Sequence, residues 1–427
     1  MTALVGILNK RAAVIAADSA VTITRGDKTK INNTANKIFR LSNTNPLGVM
    51  IYGNSEYMGI PWEVLFKLYR DTGRDKPFDT LMEYVEDFID FLKNEKHCCN
   101  EENQKDYLDQ ELASYYFKIQ ELYTQDYEEA IKNNGDDNID TESLMLKCLN
   151  DNFEFIDNKS DESGTCPEFE KYTLKALITK GKSSFDRLEG NLRDEKTPGT
   201  RKEWEKHFFK YIKSSFFLGR EAGLVFVGYG EKDLFPSIIP LIIAGNFDGR
   251  IRYYIDKEKA EYIANDNTAS ICPFAQSDIM ISLLKGINPS IYDTVYYKFC
   301  DSMEAVRQKM IDAVKDAGVA ESVTEGMASI ELNEITDKFQ DDVMEYIRTA
   351  FTDGVVDAVD SFNIDDMIKM AESLISITNL QRHFSSSEES VGGPVDVAVI
   401  TKSEGFVWVN RKQWYQKELN PQQIERR

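Results

Sequence analysis

The chain has 427 residues, 42% of them hydrophobic, which is enough to bury a large core without disulfide bonds or structural metals. Its formal net charge is −21, and no run of lysine and arginine with interleaved aromatic residues offsets it, so binding to nucleic acid is not expected. No stretch of about 18 apolar residues occurs, so we expect no membrane-spanning helix.

The start of the chain and its cysteines indicate the cellular compartment. Met1 leads into strand-like residues 4–7 without the basic and apolar regions of a secretory signal, so we expect a cytoplasmic protein. The six cysteines form no CxxC pair, and only three histidines are available to complete a metal site. We therefore expect reduced thiols, no metal site and no cofactor.

The first half of the chain changes from strand to helix patterns. Short, apolar, β-branched segments predict strands at 4–8, 12–22, 37–42 and 47–52. Apolar residues at the helical spacing then predict an amphipathic helix over 78–92. The following residues are rich in Asp, Glu, Asn, Lys and Tyr, with helical patches between polar loops. We interpret them as a helical insertion.

The second half returns to strands and then repeats the change. Strands are predicted at 224–227, 241–244 and 251–255, with a hairpin turn at 246–249. Residues 277–384 have helical patterns, and further strands are predicted at 395–400 and 406–409. Strands and helices in separate blocks favour antiparallel sheets with helices stacked on them, an α+β fold.

The last predicted helix has a clear start signal. Asn363 is a favourable N-cap residue, and Asp365 and Asp366 fall in the first turn, where acidic side chains stabilise the helix dipole. Met367, Met370, Ala371 and Leu374 then lie on one face. We therefore expect this helix to begin directly after Asn363.

Thr2 is the candidate nucleophile. Removal of Met1 would leave a hydroxyl group and a free α-amine on the same residue. The α-amine has a pKa of about 7.7 to 8.0 in model peptides, so near pH 7 a useful fraction is neutral and can accept the hydroxyl proton. Threonine with its own N-terminus as base is a recognised activated nucleophile. A Met-Thr start is common, so the case depends on the surrounding residues.

A predicted hairpin brings a carboxylate to this threonine. A turn around residues 9–11 places Leu8 opposite Ala12 and, further along the strands, Thr2 near Asp18. The alternative is that Asp18 only ends a strand. The hairpin therefore makes Asp18 the first candidate partner of Thr2.

Four motifs occur in an order that resembles the opening of catalytic proteasome β-subunits and of the bacterial heat-shock homologue. They are TALVG at 2–6, VIAADS at 14–19, NKIFRL at 36–41 and MIYG at 50–53. The resemblance implies an N-terminal-nucleophile hydrolase, with a four-layer αββα sandwich of two antiparallel sheets. It also implies peptide or protein substrates, assembly into homo-oligomers and a possible ATPase or regulator.

The resemblance implies roles for three further residues. In that family an aspartate and a lysine lie beside the threonine and a glycine N–H binds the oxyanion, which corresponds here to Asp18, Lys37 and Gly53. The lysine ammonium would favour the alkoxide, and the aspartate would keep it charged and oriented. An oxyanion donor contributes about 2.7 to 4 kcal/mol. Without the motifs, Lys37 is an ordinary surface lysine; Gly53 can be both a turn glycine and a donor.

A late segment, SVGGPVDVAVI at 390–400, is similar to the family's closing segment. There an acidic residue and a serine precede paired glycines and a strand, and both support the nucleophile. The corresponding residues here are Ser390 and either Glu388 or Ser387. They are the supporting candidates of the site.

The resemblance covers about half of the chain and predicts a single domain over 1–427. Its core segments are 2–94, 216–290 and 363–415, and its helical insertions are 95–215 and 291–362. Insertions of this size are foreign to typical β-subunits.

The predicted function is peptide-bond hydrolysis through an acyl-enzyme on Thr2, with Met1 removal as the maturation step. One alternative is a small-molecule amidase. Another is a non-catalytic scaffold or binding subunit, against which the joint presence of Thr2, Asp18 and Lys37 argues.

Overall fold

The computed structural model describes residues 2–25, 28–32, 34–72, 76–134, 140–194, 197–318, 321–384 and 392–413. The protein is α+β, and its strand pairs are antiparallel. The chain forms two compact units. The first contains Met1–Asn36, Ile263–Val399 and Val407–Arg427, and the second contains Lys37–Tyr262 and Ile400–Phe406. The predicted division into one core and two insertions stays a prediction.

The strands follow one another in chain order as β1 Ala3–Asn9, β2 Ala13–Ala17, β3 Val21–Arg25, β4 Lys28–Asn32, β5 Ile38–Arg40, β6 Leu47–Gly53, β7 Glu56–Tyr57, β8 Ile60–Pro61, β9 Ala222–Gly228, β10 Ser237–Phe247, β11 Arg250–Ile255, β12 Glu261–Tyr262, β13 Ala269–Ala275, β14 Asp396–Thr401 and β15 Gly405–Asn410.

The helices are α1 Trp62–Asp71, α2 Leu81–Asn94, α3 Glu101–Asn134, α4 Thr141–Ser163, α5 Leu174–Lys180, α6 Lys182–Asp194, α7 Arg201–Lys213, α8 Asp278–Lys285, α9 Pro289–Asp316, α10 Glu321–Ala328, α11 Asn333–Ile347, α12 Asp353–Ser361 and α13 Ile364–Phe384. A 3-10 turn at Pro167–Phe169 and a π-helical turn at Arg348–Thr352 complete the helical elements of the described residues. None of the helices in these ranges is both long enough and apolar enough to cross a bilayer.

The first unit is built on a five-stranded sheet in the order β13-β1-β2-β14-β15. Ala3, Val5 and Ile7, on one face of β1, belong to a buried cluster that also contains side chains of α12 and α13. Leu4 and Leu8, on the other face, are fully buried as well. Because both faces of β1 are covered, its sequence is almost continuously apolar and does not alternate.

The start of α13 agrees with the sequence prediction. The helix begins at Ile364, and the Asn363 side-chain oxygen accepts a hydrogen bond from the Asp366 N–H at 3.0 Å. This N-cap satisfies one of the backbone donors that the first turn leaves without a helical partner. The predicted helix start is confirmed.

The second unit contains a six-stranded sheet, in which the order is β11-β10-β9-β6-β5 and β12 pairs with β10. Helices α1 and α2 cover it with an aromatic cluster, where the ring centroids of Phe88 and Phe226 lie 5.5 Å apart. The capping box of Thr80 and Glu83 fixes the start of α2. Packing of α1 and α2 therefore positions the central strands β6 and β9.

The helices α3 to α7 form a second core within the same unit, and all lie in the segment predicted as the first insertion. Tyr115, Trp204 and Phe208 are fully buried there, and the cluster includes Phe247 at the end of β10. The Arg252 guanidinium, on β11, donates to the Glu111 carboxylate of α3 at 2.8 Å, and both side chains are buried. The helices are therefore tied to the sheet by packing and by a buried ion pair.

The hairpin between β10 and β11 has the turn that the sequence predicts. Phe247 pairs with Arg250, which leaves Asp248 and Gly249 as a two-residue turn. Their φ angles are 51° and 69°, the left-handed values that favour an Asp-Gly sequence at such a turn. The predicted turn at 246–249 is confirmed.

Candidate active site

Thr2 lies directly before β1 and is 9% exposed. Its carbonyl oxygen accepts a hydrogen bond from the Gln276 N–H at 3.0 Å. The neighbouring Ala3 pairs with Ala275, whose φ of 61° is in the left-handed region that residues with a side chain seldom occupy. The end of β13 thus holds the backbone of Thr2, and it does so next to a strained residue of the kind that clusters at functional sites.

Asp18 follows β2 and is fully buried. Its Oδ1 atom accepts a hydrogen bond from the Ala3 N–H at 2.9 Å. Its Oδ2 atom accepts hydrogen bonds from the N–H groups of Ala20 at 3.1 Å and Gly392 at 3.2 Å. Three N–H donors are the kind of partners that a carboxylate needs when it is removed from water. They hold the Asp18 carboxylate against the peptide that joins Thr2 to Ala3.

The hairpin that brings these residues together differs by one residue from the predicted register. Leu8 pairs with Ala13, where Ala12 was predicted, and Asp18 therefore lies opposite Ala3. The cause is a shorter turn. The Asn9 N–H donates to the Ala12 carbonyl at 3.1 Å, so only residues 10 and 11 form the loop. The Asn9 side-chain oxygen holds this loop by accepting hydrogen bonds from the N–H groups of Arg11 at 2.9 Å and Ala12 at 3.3 Å.

The late glycine pair is closer to Asp18 than the sequence indicated. Besides the bond from its N–H to Asp18, the Gly392 carbonyl accepts from the Ser19 N–H at 3.1 Å, and Ser19 Oγ donates to the Pro394 carbonyl at 2.6 Å. The sequence supports only a role of the glycine pair in the fold and does not indicate the contact of Gly392 with Asp18. The candidates Ser387, Glu388 and Ser390 lie outside the described residues.

Lys37 and Gly53 belong to the second unit, where they lie on adjacent chain segments. Lys37 directly precedes β5, is 3% exposed, and its carbonyl accepts a hydrogen bond from the Ile51 N–H at 2.9 Å. A lysine so well covered is not the ordinary surface lysine that was the alternative. Within this unit Lys37 therefore faces Ile51 of β6, two residues before Gly53 on that strand.

Gly53 ends β6 in a conformation that requires glycine. Its φ is 75°, and a Cβ atom at this position would lie 2.5 Å from the Glu221 carbonyl oxygen. The same oxygen accepts a hydrogen bond from the Asn54 N–H at 3.0 Å. The backbone geometry therefore supports the interpretation of Gly53 as a turn glycine. This interpretation is compatible with its role as an oxyanion donor.

The candidate residues of the first unit offer a hydroxyl and a carboxylate, and that of the second unit offers an ammonium group. Within the described ranges, no group of three or more His, Cys, Asp and Glu residues is arranged to hold a metal ion. All six cysteines are free. Burial raises the pKa of the Cys98 thiol to about 12 and that of the Cys99 thiol to about 11, so both are protonated near pH 7 and are poor nucleophiles.

Comparison with protein-family models finds no matching family, and comparison with curated proteins finds no matching relative.

Replacement of Asp18 tests how the start of β1 is held. In Asp18→Ala the N–H groups of Ala3, Ala20 and Gly392 lose their acceptor. Each buried donor without a partner costs about 1 to 3 kcal/mol, so we expect a large loss in the free energy of unfolding, measured by urea denaturation. Asp341→Ala, on the exposed part of α11, is the control, expected to change stability by less than about 0.5 kcal/mol. Equal stability of the two variants would contradict this account.

Proposed function

We propose that the protein is an N-terminal threonine hydrolase that cleaves peptide bonds through an acyl-enzyme on Thr2. The observation that carries the proposal is the fully buried Asp18 carboxylate, bonded to the N–H that directly follows Thr2. Removing a carboxylate from water costs free energy unless hydrogen bonds replace those to water. Here three N–H groups supply these hydrogen bonds to Asp18, beside the candidate nucleophile. The four ordered sequence motifs support the same function.

The reaction begins when the Thr2 hydroxyl attacks the carbonyl carbon of the scissile amide. The α-amine of Thr2 takes the hydroxyl proton, and the Gly53 N–H donates to the oxyanion. The α-amine then returns the proton to the leaving amine, and an ester remains on Thr2. Water, deprotonated by the same amine, hydrolyses this ester and regenerates the hydroxyl.

The charged residues act on the nucleophile in this mechanism. The proposal requires the Lys37 ammonium to reach the Thr2 hydroxyl, where its positive charge favours the alkoxide form. The proposal likewise assigns to Asp18 the role of keeping that ammonium charged and oriented. Lys37 is therefore a positioning and electrostatic group, and Thr2 is the residue that bonds to the substrate.

The proposal also includes the αββα sandwich of the N-terminal-nucleophile hydrolases. Its supports are the antiparallel strand pairing, the helices packed on each sheet and the burial of both faces of β1. We place the reaction in the cytoplasm, with peptides as substrates and homo-oligomers as the working form.

A covalent probe tests the function directly. The purified protein is first examined by intact mass, which is expected to show removal of Met1, and is then treated with a peptide epoxyketone. The epoxyketone needs both a hydroxyl and a free α-amine on one residue, so an adduct is expected on Thr2 and should be absent in Lys37→Ala. Retention of Met1 in all molecules, or absence of an adduct on a free Thr2, would overturn the proposal.

A further inference from the structure

A polar cavity of about 340 Å³ opens in the second unit directly after Gly53. Asn54, Glu56 and Met58 line it from the segment after β6, and Asp106 and Tyr107 line it from α3. Its volume is within the range of small ligand sites, about 300 to 1,000 Å³. Helix α3 belongs to the segment predicted as an insertion. That segment therefore supplies part of the wall of a candidate ligand site.

The walls of the cavity are held in place by hydrogen bonds. The Asn54 side chain donates to the Arg220 carbonyl at 3.3 Å and accepts from the Glu56 N–H at 3.2 Å. The hydroxyl group of Tyr107, which is 7% exposed, accepts from the buried Arg252 guanidinium at 3.3 Å. The cavity is therefore preformed, which lowers the entropic cost of binding.

Two carboxylates and one guanidinium, those of Glu56, Asp106 and Arg220, line the cavity, so two negative charges against one positive charge leave a formal net charge of −1. Glu56 and Asp106 are exposed, and in the part of the chain that the structure describes neither forms an ion pair. The Arg220 guanidinium, also at the cavity, instead donates to Ser114 Oγ at 3.1 Å and to Gln110 Oε1. Neutral acceptors thus hold Arg220, and both carboxylates stay available to a ligand.

We infer that this cavity binds the cationic side chain of a lysine or arginine in a peptide substrate. Asn54, in the cavity wall, directly follows Gly53. An extended peptide rises about 3.3 Å per residue, so a peptide whose carbonyl accepts from the Gly53 N–H reaches the cavity within a few residues. The carboxylates of Glu56 and Asp106 supply the complementary charge. The inference rests on the proposed function for the identity of the ligand, because it takes the ligand to be a substrate peptide.

Peptide binding to the full-length Thr2→Ala chain tests the inference without any cleavage. Fluorescein-labelled alanine-rich peptides carry one arginine, moved through each position in turn, or its neutral isostere citrulline. At one position arginine is expected to bind about tenfold more tightly than citrulline. The added pair Glu56→Gln and Asp106→Asn should remove that preference. Glu102→Gln, an exposed carboxylate of α3 outside the cavity lining, should keep it.

Three results overturn the inference: no binding by any arginine peptide, no preference over citrulline, or a preference that survives the double substitution. These results are independent of the probe experiment on Thr2. Arginine preference without an adduct on Thr2 leaves the cavity assignment standing and rejects the hydrolase. An adduct on Thr2 without arginine preference supports the hydrolase and rejects the cavity assignment.

Discussion

Thr2→Ala is expected to lose amide hydrolysis by at least on the order of 10³-fold, because removal of a nucleophile abolishes the covalent route. The bond between the Thr2 carbonyl and the Gln276 N–H involves only the backbone, so alanine keeps it. Alanine is also small, and Met1 removal should proceed as in the unsubstituted chain. The loss should therefore appear in kcat for a fluorogenic peptide amide and not in the free energy of unfolding.

Thr2→Ser is the matched variant for this experiment, since serine retains both the hydroxyl and the α-amine. It should keep measurable activity and should still form the epoxyketone adduct. Thr44→Ala, at an exposed position before β6, removes a threonine hydroxyl elsewhere and should leave kcat unchanged. Full activity in Thr2→Ala would reject Thr2 as the nucleophile, and a loss caused equally by Thr44→Ala would show that the effect is not specific.

The sequence predicted the strands and helices well where the pattern is local. Strand β6 and the β10–β11 turn follow from apolar runs and from an Asp-Gly pair. The residues 12–22 were predicted as one strand, and the structure ends β2 at Ala17 and begins β3 at Val21. The reason is long-range: Ser19 binds the backbone of Gly392 and Pro394, and no local pattern reports such a contact.

The candidate site was predictable only in part, for the same reason. Asp18 could be placed near Thr2 because both lie on one hairpin, and the error of one residue came from the Asn9 side chain in the turn. The contact of Gly392 with Asp18 joins residues 374 positions apart. The cavity at Asp106 depends on how α3 packs, which the helical pattern alone does not specify.

Glu111→Ala is expected to be among the most destabilising single substitutions in the second unit. The Arg252 guanidinium is fully buried, and Glu111 supplies the carboxylate for its Nη1 atom. Breaking a buried pair by removing one partner costs about 3 to 5 kcal/mol, because the remaining charge has no counterion. The Tyr211 hydroxyl, which donates to Glu111 at 2.7 Å, loses its acceptor as well. The decrease is measured as the free energy of unfolding in urea.

Two further variants show whether the buried charge is the cause. Glu121→Ala removes an exposed carboxylate on the same helix, where the pair with Lys118 is worth about 0 to 1 kcal/mol, so it should have little effect. The double variant Glu111→Leu with Arg252→Met removes both charges, and it should recover much of the stability, because apolar replacement of a buried pair is often close to neutral. If the double variant were no more stable than Glu111→Ala, the cause would be lost packing or the lost Arg252 hydrogen bonds to the carbonyls of Tyr211, Ser214 and Phe216, and not the uncompensated charge.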